Sequence, residues 1–418
     1  MTSATIHSTP ADADTRPRLR VALLLSTRYF EDFYGAGLGL DRNGYLERYR
    51  NDWSWDWCEM LAREQVHTTI YVPTIEHGEL AVTADGYAVR FLELAPLIKP
   101  WVRFPTLERT PVGRYVGQVA NALAMLAPLR AALEEDQIDV VCLQEYWTAR
   151  FDMLARTLDR PVVGVDQGLP DRREIKWLKR GAFRASAGAI VQTEPEAAKV
   201  GRYGADARRI PNAVDVEFFS PDSARAPTVR EPEVLFVGRL HDAQKRVSDV
   251  LKALWLLPEA WRLRVVGGGP DEAALRRLAE ELGVRERVSF EGFIGDTRRL
   301  RDLYRRADVV AMPSTYEGLP MVLLEAMSCG TPVVGSQIPA IAGVVRDGET
   351  GLLFPVGAPD RLASAIADAF ADRDRLSDGA RRSILADYDQ AVVGPRLAAY
   401  LAAARDAHFG HRANGSGP

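Results

Sequence analysis

Arg239 and Lys245 share one loop, Gly238 to Lys245, directly after the apolar run Val234–Gly238. Arginine offers a planar fork and lysine a point charge, so the two together suit a diphosphate. Further on, Glu317, Gly318, Leu319, Pro320, Met321, Val322 and Glu325 gather where a loop opens a helix. Proline fits the first helical turn, because its missing N–H would have no intrahelical partner there. The free N–H groups of that turn and the helix dipole make a site for phosphate, and Gly318 lets the backbone come close. Glu317 and Glu325 are unsuited to phosphate oxygens but can accept hydrogen bonds from sugar hydroxyls. Glu325 could instead be a solvated helix residue, although its apolar neighbours Leu323, Leu324, Ala326 and Met327 favour a partly buried carboxylate. The turn Gly267–Pro270, with Gly268 at its centre, permits close backbone approach. The turn Glu291–Gly295 carries Phe293 and Ile294, which either lie beside a flat base or pack the turn.

These loops need strands to hold them. Short, nearly all-apolar runs recur at Val21–Leu25, Thr69–Val72, Val140–Leu143, Pro161–Val165 and Ala189–Gln192 in the first half. In the second half they recur at Val234–Gly238, Leu263–Val266, Val288–Phe290, Val309–Met312, Pro332–Val334 and Leu352–Phe354. Continuous apolar runs separated by helical patterns predict parallel strands covered on both faces, hence doubly wound α/β domains. The segment 221–232 holds three prolines and no apolar pattern, and reads as a linker. The expected organisation is a disordered tail over 1–17, a first domain over 18–220 and a second over 233–388. A helix of undecided packing follows over 389–409, then a polar tail over 410–418. Ligands of such domains bind at the carboxyl ends of the strands.

Composition bounds the rest. The chain has 418 residues, of which 53 are basic and 57 acidic, giving a net charge of −4 that argues against nucleic acid as a partner. Apolar residues make up 47 %, enough for sizeable cores. No apolar run approaches the roughly 20 residues that cross a bilayer, and the polar N-terminus lacks the layout of a secretory signal. Cys58, Cys142 and Cys329 are far apart and form neither a metal spacing nor a disulfide framework. The expected location is the cytoplasm. The basic cluster 171–184, with Trp177 and Phe183, keeps peripheral contact with the inner membrane face open; its alternative is a solvated helix face.

With the segment Ile210–Pro221, the order and spacing of Gly238-Arg239, Lys245, Gly267–Pro270, Phe293 and Glu317-x7-Glu325 resemble the retaining nucleotide-sugar glycosyltransferases of family 4. The resemblance is strong over about 185–375 and rests on strand pattern alone before that. It implies a GT-B architecture, two Rossmann-like doubly wound domains facing across a cleft. It also implies transfer of a hexose from a nucleoside-diphosphate sugar to a hydroxyl or amine, with retention at the anomeric carbon. In such an enzyme Arg239 and Lys245 bind the donor diphosphate, and Glu317 binds donor-sugar hydroxyls. Amides from Gly318 to Val322 hold the β-phosphate, Glu325 binds the ribose, and Phe293 and Ile294 flank the base. No metal and no permanently bound cofactor is implied; the donor is a co-substrate carrying UDP, GDP or ADP. The acceptor, a small metabolite, glycan or lipid head group, stays open. The rivals are a catalytically silent sugar-nucleotide-binding subunit and a GT-B epimerase or phosphorylase.

The first half departs from the family. Its usual short Gly-Gly loop after the first strand is replaced by the long stretch Ser26–Gly39, in which Gly35 or Gly37 would reach the donor phosphates. Members of the family often carry a histidine after the fourth strand. Here Gln144 and Glu145 stand at that place, and Asp166 ends the next strand. Glu145 and Asp166 are therefore the candidates for acid–base work on this side. Trp53, Trp55 and Trp57 read as core rather than as a sugar-stacking platform.

Overall fold

A computed structural model describes residues 19–50, 52–95, 110–166, 176–222 and 231–414. The first sheet holds β1 Arg20–Leu24, β2 His67–Thr74, β3 Glu79–Val82, β4 Ala88–Glu93, β5 Val140–Gln144, β6 Val162–Val165, β7 Gly188–Val191 and β8 Ala207–Arg209. Its order is β3-β4-β2-β1-β5-β6-β7-β8, and each pairing is parallel except the antiparallel β3–β4 edge. The second sheet holds β9 Glu233–Val237, β10 Arg262–Val266, β11 Val288–Gly292, β12 Val309–Met312, β13 Val333–Ser336 and β14 Leu352–Phe354. Its order, β11-β10-β9-β12-β13-β14, is wholly parallel and is the doubly wound 3-2-1-4-5-6 arrangement. The chain reverses direction across the sheet between β1 and β5, and again between β9 and β12. At such switch points the loops diverge and leave a crevice for ligands.

The helices that matter to the site are α1 Trp53–Arg63, α2 Pro111–Glu135, α3 Ala149–Thr157, α4 Lys176–Ala185, α5 Thr297–Arg306, α6 Met321–Ser328, α7 Arg373–Asp387 and α8 Gln390–Asn414. Local chemistry sets several starts. The side chains of Asp52, Thr110 and Thr148 accept from backbone N–H groups in the first turns of α1, α2 and α3. Trp53, Trp55 and Trp57 are all buried and pack with Tyr34, Tyr45 and Met60, so they are core, not a platform. Cys58, Cys142 and Cys329 are free and buried.

One segment departs from the expectation that nothing is long and apolar enough to span a bilayer. Over 24 residues, Val112–Glu135 meets that test by length and composition. Its apolar character serves packing in part: Ala122, Ala124, Met125 and Leu129 are fully buried, while Val112, Val116 and Leu123 are exposed.

The segment after β8 leaves the first domain before Pro221. Val214, Val216 and Phe219 pack with Leu235, Val266 and Leu323 in the second domain's core. Arg381 of α7 ties it down, donating to the carbonyls of Val216, Phe219 and Ser328. The chain then crosses back: Val214 and Asp389 form a bridge, and α8 packs on α1 through Val393 and Leu397. Gly394 is required there, since a Cβ would lie 2.8 Å from Cγ of Met60.

Candidate active site

The loops after β9 and β12 meet at the second domain's switch point. The Thr315 N–H donates to the Gln244 carbonyl at 2.8 Å, and Gln244 Nε2 donates to the Tyr316 carbonyl at 3.3 Å. This stitching brings Lys245 Nζ within 2.6 Å of Glu317 Oε1, although 72 residues separate them in sequence. Only 17 % of the Lys245 side chain and 8 % of that of Glu317 are exposed. The two residues expected to grip different parts of one ligand thus neutralise each other without it. Arg239 is exposed and has no carboxylate partner among the described residues. Gly238 adjoins it, and the next loop explains the glycine run. A Cβ on Gly267 would lie 1.9 Å from the Gly238 carbonyl oxygen, and one on Gly269 would lie 2.4 Å from that of Leu240. Gly268 has open space around it, and its carbonyl accepts from the Leu240 N–H. The glycines therefore let two loops touch, which holds the Arg239 loop in place.

Helix α6 begins at Met321 with Pro320 as its N-cap and no side-chain cap. Its opening amides have no intrahelical acceptor, so the turn Gly318 to Val322 presents donors at the mouth of the loop that carries Glu317. Leu319 is buried beneath it. Glu325, one turn further, accepts from Tyr304 Oη of α5 at 2.7 Å. Burial pushes its carboxyl up to about 7, partly offset by that hydrogen bond. Phe293 and Ile294 do not act alike. Phe293 is 70 % exposed, whereas Ile294 is buried with Tyr304 and Leu323. Ile294 therefore belongs to the core, and of the two side chains only the Phe293 ring is available to a base.

On the facing domain, Glu145 and Asp166 stand side by side, at the carboxyl ends of the paired strands β5 and β6, and both are buried. Glu145 has φ 66°, a left-handed conformation that costs a non-glycine residue about 1–2 kcal/mol. Strain of this kind clusters at ligand sites. Glu145→Gly should consequently be more stable than Glu145→Ala by about 1 kcal/mol in urea unfolding, since both delete the side chain and only glycine relieves the backbone. Equal stabilities would contradict this.

Gly37 does not match its expected part. The stretch after β1 forms a π-helical turn, Glu31–Ala36, and Gly37 closes it by donating its N–H to the Asp32 carbonyl. Gly39 likewise donates to the Gly35 carbonyl. Those amides are spent within the turn and are not offered to phosphate. Sequence reasoning also passed over Asp56 of α1 as a site residue. Burial raises its carboxyl well above the usual range, and the charge of Glu325 adds to the rise. Asp56 lies among three tryptophans in the sequence, and that setting drew attention to the rings instead.

Within the basic cluster 171–184, residues 171–175 and the Lys176 and Trp177 side chains lie outside the described residues. The described part points largely inward. Phe183 is buried, and Lys179 Nζ, also buried, donates to the carbonyls of Tyr146 and Thr148 and pairs with Asp152 at 2.9 Å. Arg180 and Arg184 remain exposed.

Two parallel-sheet domains with a phosphate-suited loop and helix start at the switch point define a GT-B glycosyltransferase architecture. Family models match accordingly: "Glycosyltransferase Family 4" over 54–218 and "Glycosyl transferases group 1" over 222–383. The chain belongs to the family 4-like GT-B glycosyltransferases. Among curated relatives, a D-inositol 3-phosphate glycosyltransferase of Geodermatophilus obscurus is 36 % identical over 287 residues, 63 % of each chain. One of Xylanimonas cellulosilytica is 38 % identical over 221 residues, 47 % of this chain and 52 % of the relative. A phosphatidyl-myo-inositol mannosyltransferase of Mycobacterium tuberculosis is 36 % identical over 46 % of this chain and 53 % of its own length. The chain thus spans about half to two thirds of the length of these relatives. In fold it is similar to the sucrose-phosphate synthase of Thermosynechococcus elongatus, with TM-score 0.70, 22 % identity, and 91 % of this chain and 97 % of that one covered. Anabaena HepE in complex with UDP-glucose follows at TM-score 0.66 and 16 % identity, with 92 % of this chain and 100 % of that one covered.

Proposed function

We propose that this protein transfers a hexose from a nucleoside-diphosphate sugar to an acceptor hydroxyl, with retention at the anomeric carbon and without a metal. The observation that carries this is the Lys245–Glu317 pair, which joins the loop that holds Arg239 to the loop that leads into the uncapped start of α6. Arg239 and Lys245 stabilise charge as it develops on the leaving diphosphate, the task a divalent ion performs elsewhere. Amides from Gly318 to Val322 hold the β-phosphate, Glu317 takes the donor-sugar hydroxyls, and Glu325 takes the ribose. Phe293 covers the base. The departing phosphate itself accepts the acceptor proton on the front face, so Gln144 and Glu145 can stand where the family often has a histidine. Glu145 and Asp166 orient the acceptor from the facing domain. Relatives named for inositol phosphates suggest a polyol acceptor, and an inositol phosphate is the first to try.

Mass spectrometry of a donor-by-acceptor screen, with UDP-, GDP- and ADP-sugars, tests this. A mass increase of one hexose on the acceptor is expected, and proton NMR of the product should show an equatorial anomeric proton when the donor's nucleotide is axial. Nucleotide binding without any turnover would favour the silent binding subunit, and inverted stereochemistry would remove the retaining mechanism.

Glu325 adds a pH prediction. Its carboxyl titrates near 7, and only the ionised form accepts two ribose hydroxyls. Affinity for the nucleotide sugar, whose diphosphate has no proton titrating in this range, should therefore rise several-fold between pH 6 and 8 and level off above. Glu325→Gln should bind more weakly at pH 8 and lose this pH dependence. Calorimetric titration across that range decides, and a pH-dependent rise that persists in the glutamine variant would contradict the assignment.

A further inference from the structure

The loop that follows β1 at the other switch point is held from beneath by a buried guanidinium. Arg150, in the first turn of α3, is 5 % exposed. Its Nη1 donates to the Leu25 carbonyl at 3.0 Å and its Nη2 to the Thr27 carbonyl at 3.0 Å. It makes no ion pair among the described residues. Burial lowers it to about 10, so it is still a cation at neutral pH. Burying a guanidinium against carbonyls alone is costly, and an apolar side chain of that size would fill the space more cheaply. Two more side chains fix the same loop. The Ser26 N–H donates to Gln144 Oε1 at 2.8 Å, and Asn121 Nδ2 donates to the Arg28 carbonyl at 2.9 Å. Gln144 immediately precedes the left-handed Glu145, so the clamp ties both sides of the β1/β5 switch point into one surface. Four contacts thus specify the backbone of a surface loop at the carboxyl end of a strand, where packing alone would need none.

We propose that Arg150 is a positioning residue for sugar transfer: from under the loop Leu25–Arg28 it fixes the wall against which the acceptor meets the donor. This rests on the transferase reading above. It assigns the role to the guanidinium's forked geometry, which reaches two carbonyls at once, and not to its charge at the reaction centre.

The test uses the full chain, Arg150→Met and Arg150→Lys, with water as the probe acceptor. The donor is whichever of UDP-, GDP- or ADP-glucose the wild type cleaves. Nucleoside-diphosphate release gives kcat and KM, and calorimetry gives affinity for the free nucleotide. Arg150→Met should keep nucleotide affinity and donor KM within about twofold while kcat falls on the order of 100-fold, the scale of a 1 Å misplacement. Arg150→Lys, which can reach only one carbonyl well, should fall in between and keeps the test open if the methionine variant fails to fold. A folded variant with unchanged kcat, or nucleotide affinity falling in parallel with kcat, would overturn the positioning role. A wild type that binds no nucleotide overturns the transferase reading itself, so the two failures are distinct.

Discussion

Arg239→Ala is expected to lower kcat for sugar transfer by about 10²–10³-fold and to leave affinity for the nucleoside nearly unchanged. Lys245 and Glu317 already pair at 2.6 Å, so together they bring almost no net charge to an arriving diphosphate. Arg239 has no such partner among the described residues, and its loop is braced by the close contacts of Gly267 and Gly269 with the loop's backbone. Among the described residues, Arg239 therefore meets the diphosphate unpaired, whereas Lys245 adds its charge only as the ligand draws it from Glu317. Negative charge on the leaving oxygens grows most between ground and transition state, so the loss should appear in kcat more than in KM. Arg239→Lys should recover part of it, because a point charge replaces a bidentate fork. Steady-state nucleotide release from the preferred donor measures this, and a loss confined to KM would contradict it.

Glu317→Gln should have opposite effects on two ligands. Breaking the ion pair frees Lys245 for the phosphates, so the variant should bind free nucleoside diphosphate about tenfold more tightly, about 1.4 kcal/mol. The same change removes the carboxylate that takes the sugar hydroxyls. Donor binding should gain little over free nucleotide, and kcat should drop on the order of 100-fold. The pair is mostly buried, which makes the coupling larger than that of an exposed salt bridge. Calorimetry with nucleotide and nucleotide-sugar separates the effects. Weaker binding of both by the same factor would mean that the pair is a structural strut that ligand never opens.

Much of this was legible in the sequence, for a physical reason. The six strands of the second sheet are parallel, and each carries a short, mostly apolar run even where Arg264 interrupts β10 and Ser289 interrupts β11, so none is missed. In the first sheet, β3, β4 and β8 escaped notice. β3 is a mostly exposed antiparallel edge, β4 alternates arginine and glutamate with apolar residues, and β8 is Ala-Arg-Arg. The placement of Arg239, Lys245 and Glu317 in loops after strand ends, and of Glu325 in a helix, is legible because apolar runs mark those strands. The Lys245–Glu317 pair was not readable, since it depends on two loops meeting in space. Gly37 was misjudged because a π-helical turn consumes amides that an open loop would leave free. Ile294 was misjudged because neighbouring residues on a turn face opposite ways. Neither the left-handed backbone of Glu145 nor the buried guanidinium of Arg150 leaves any periodicity or motif to find.

The central claim is that the crevice built on Arg239 and the Lys245–Glu317 pair is where a nucleoside-diphosphate sugar is bound and cleaved. The most direct measurement is nucleoside-diphosphate release from UDP-, GDP- and ADP-sugars by the wild type and by the Arg239→Ala/Glu317→Ala double variant, both shown to be folded by circular dichroism. The expected result is turnover of one donor class by the wild type and loss of at least about 10³-fold in the double variant. Release that survives both substitutions would place the chemistry somewhere other than this crevice.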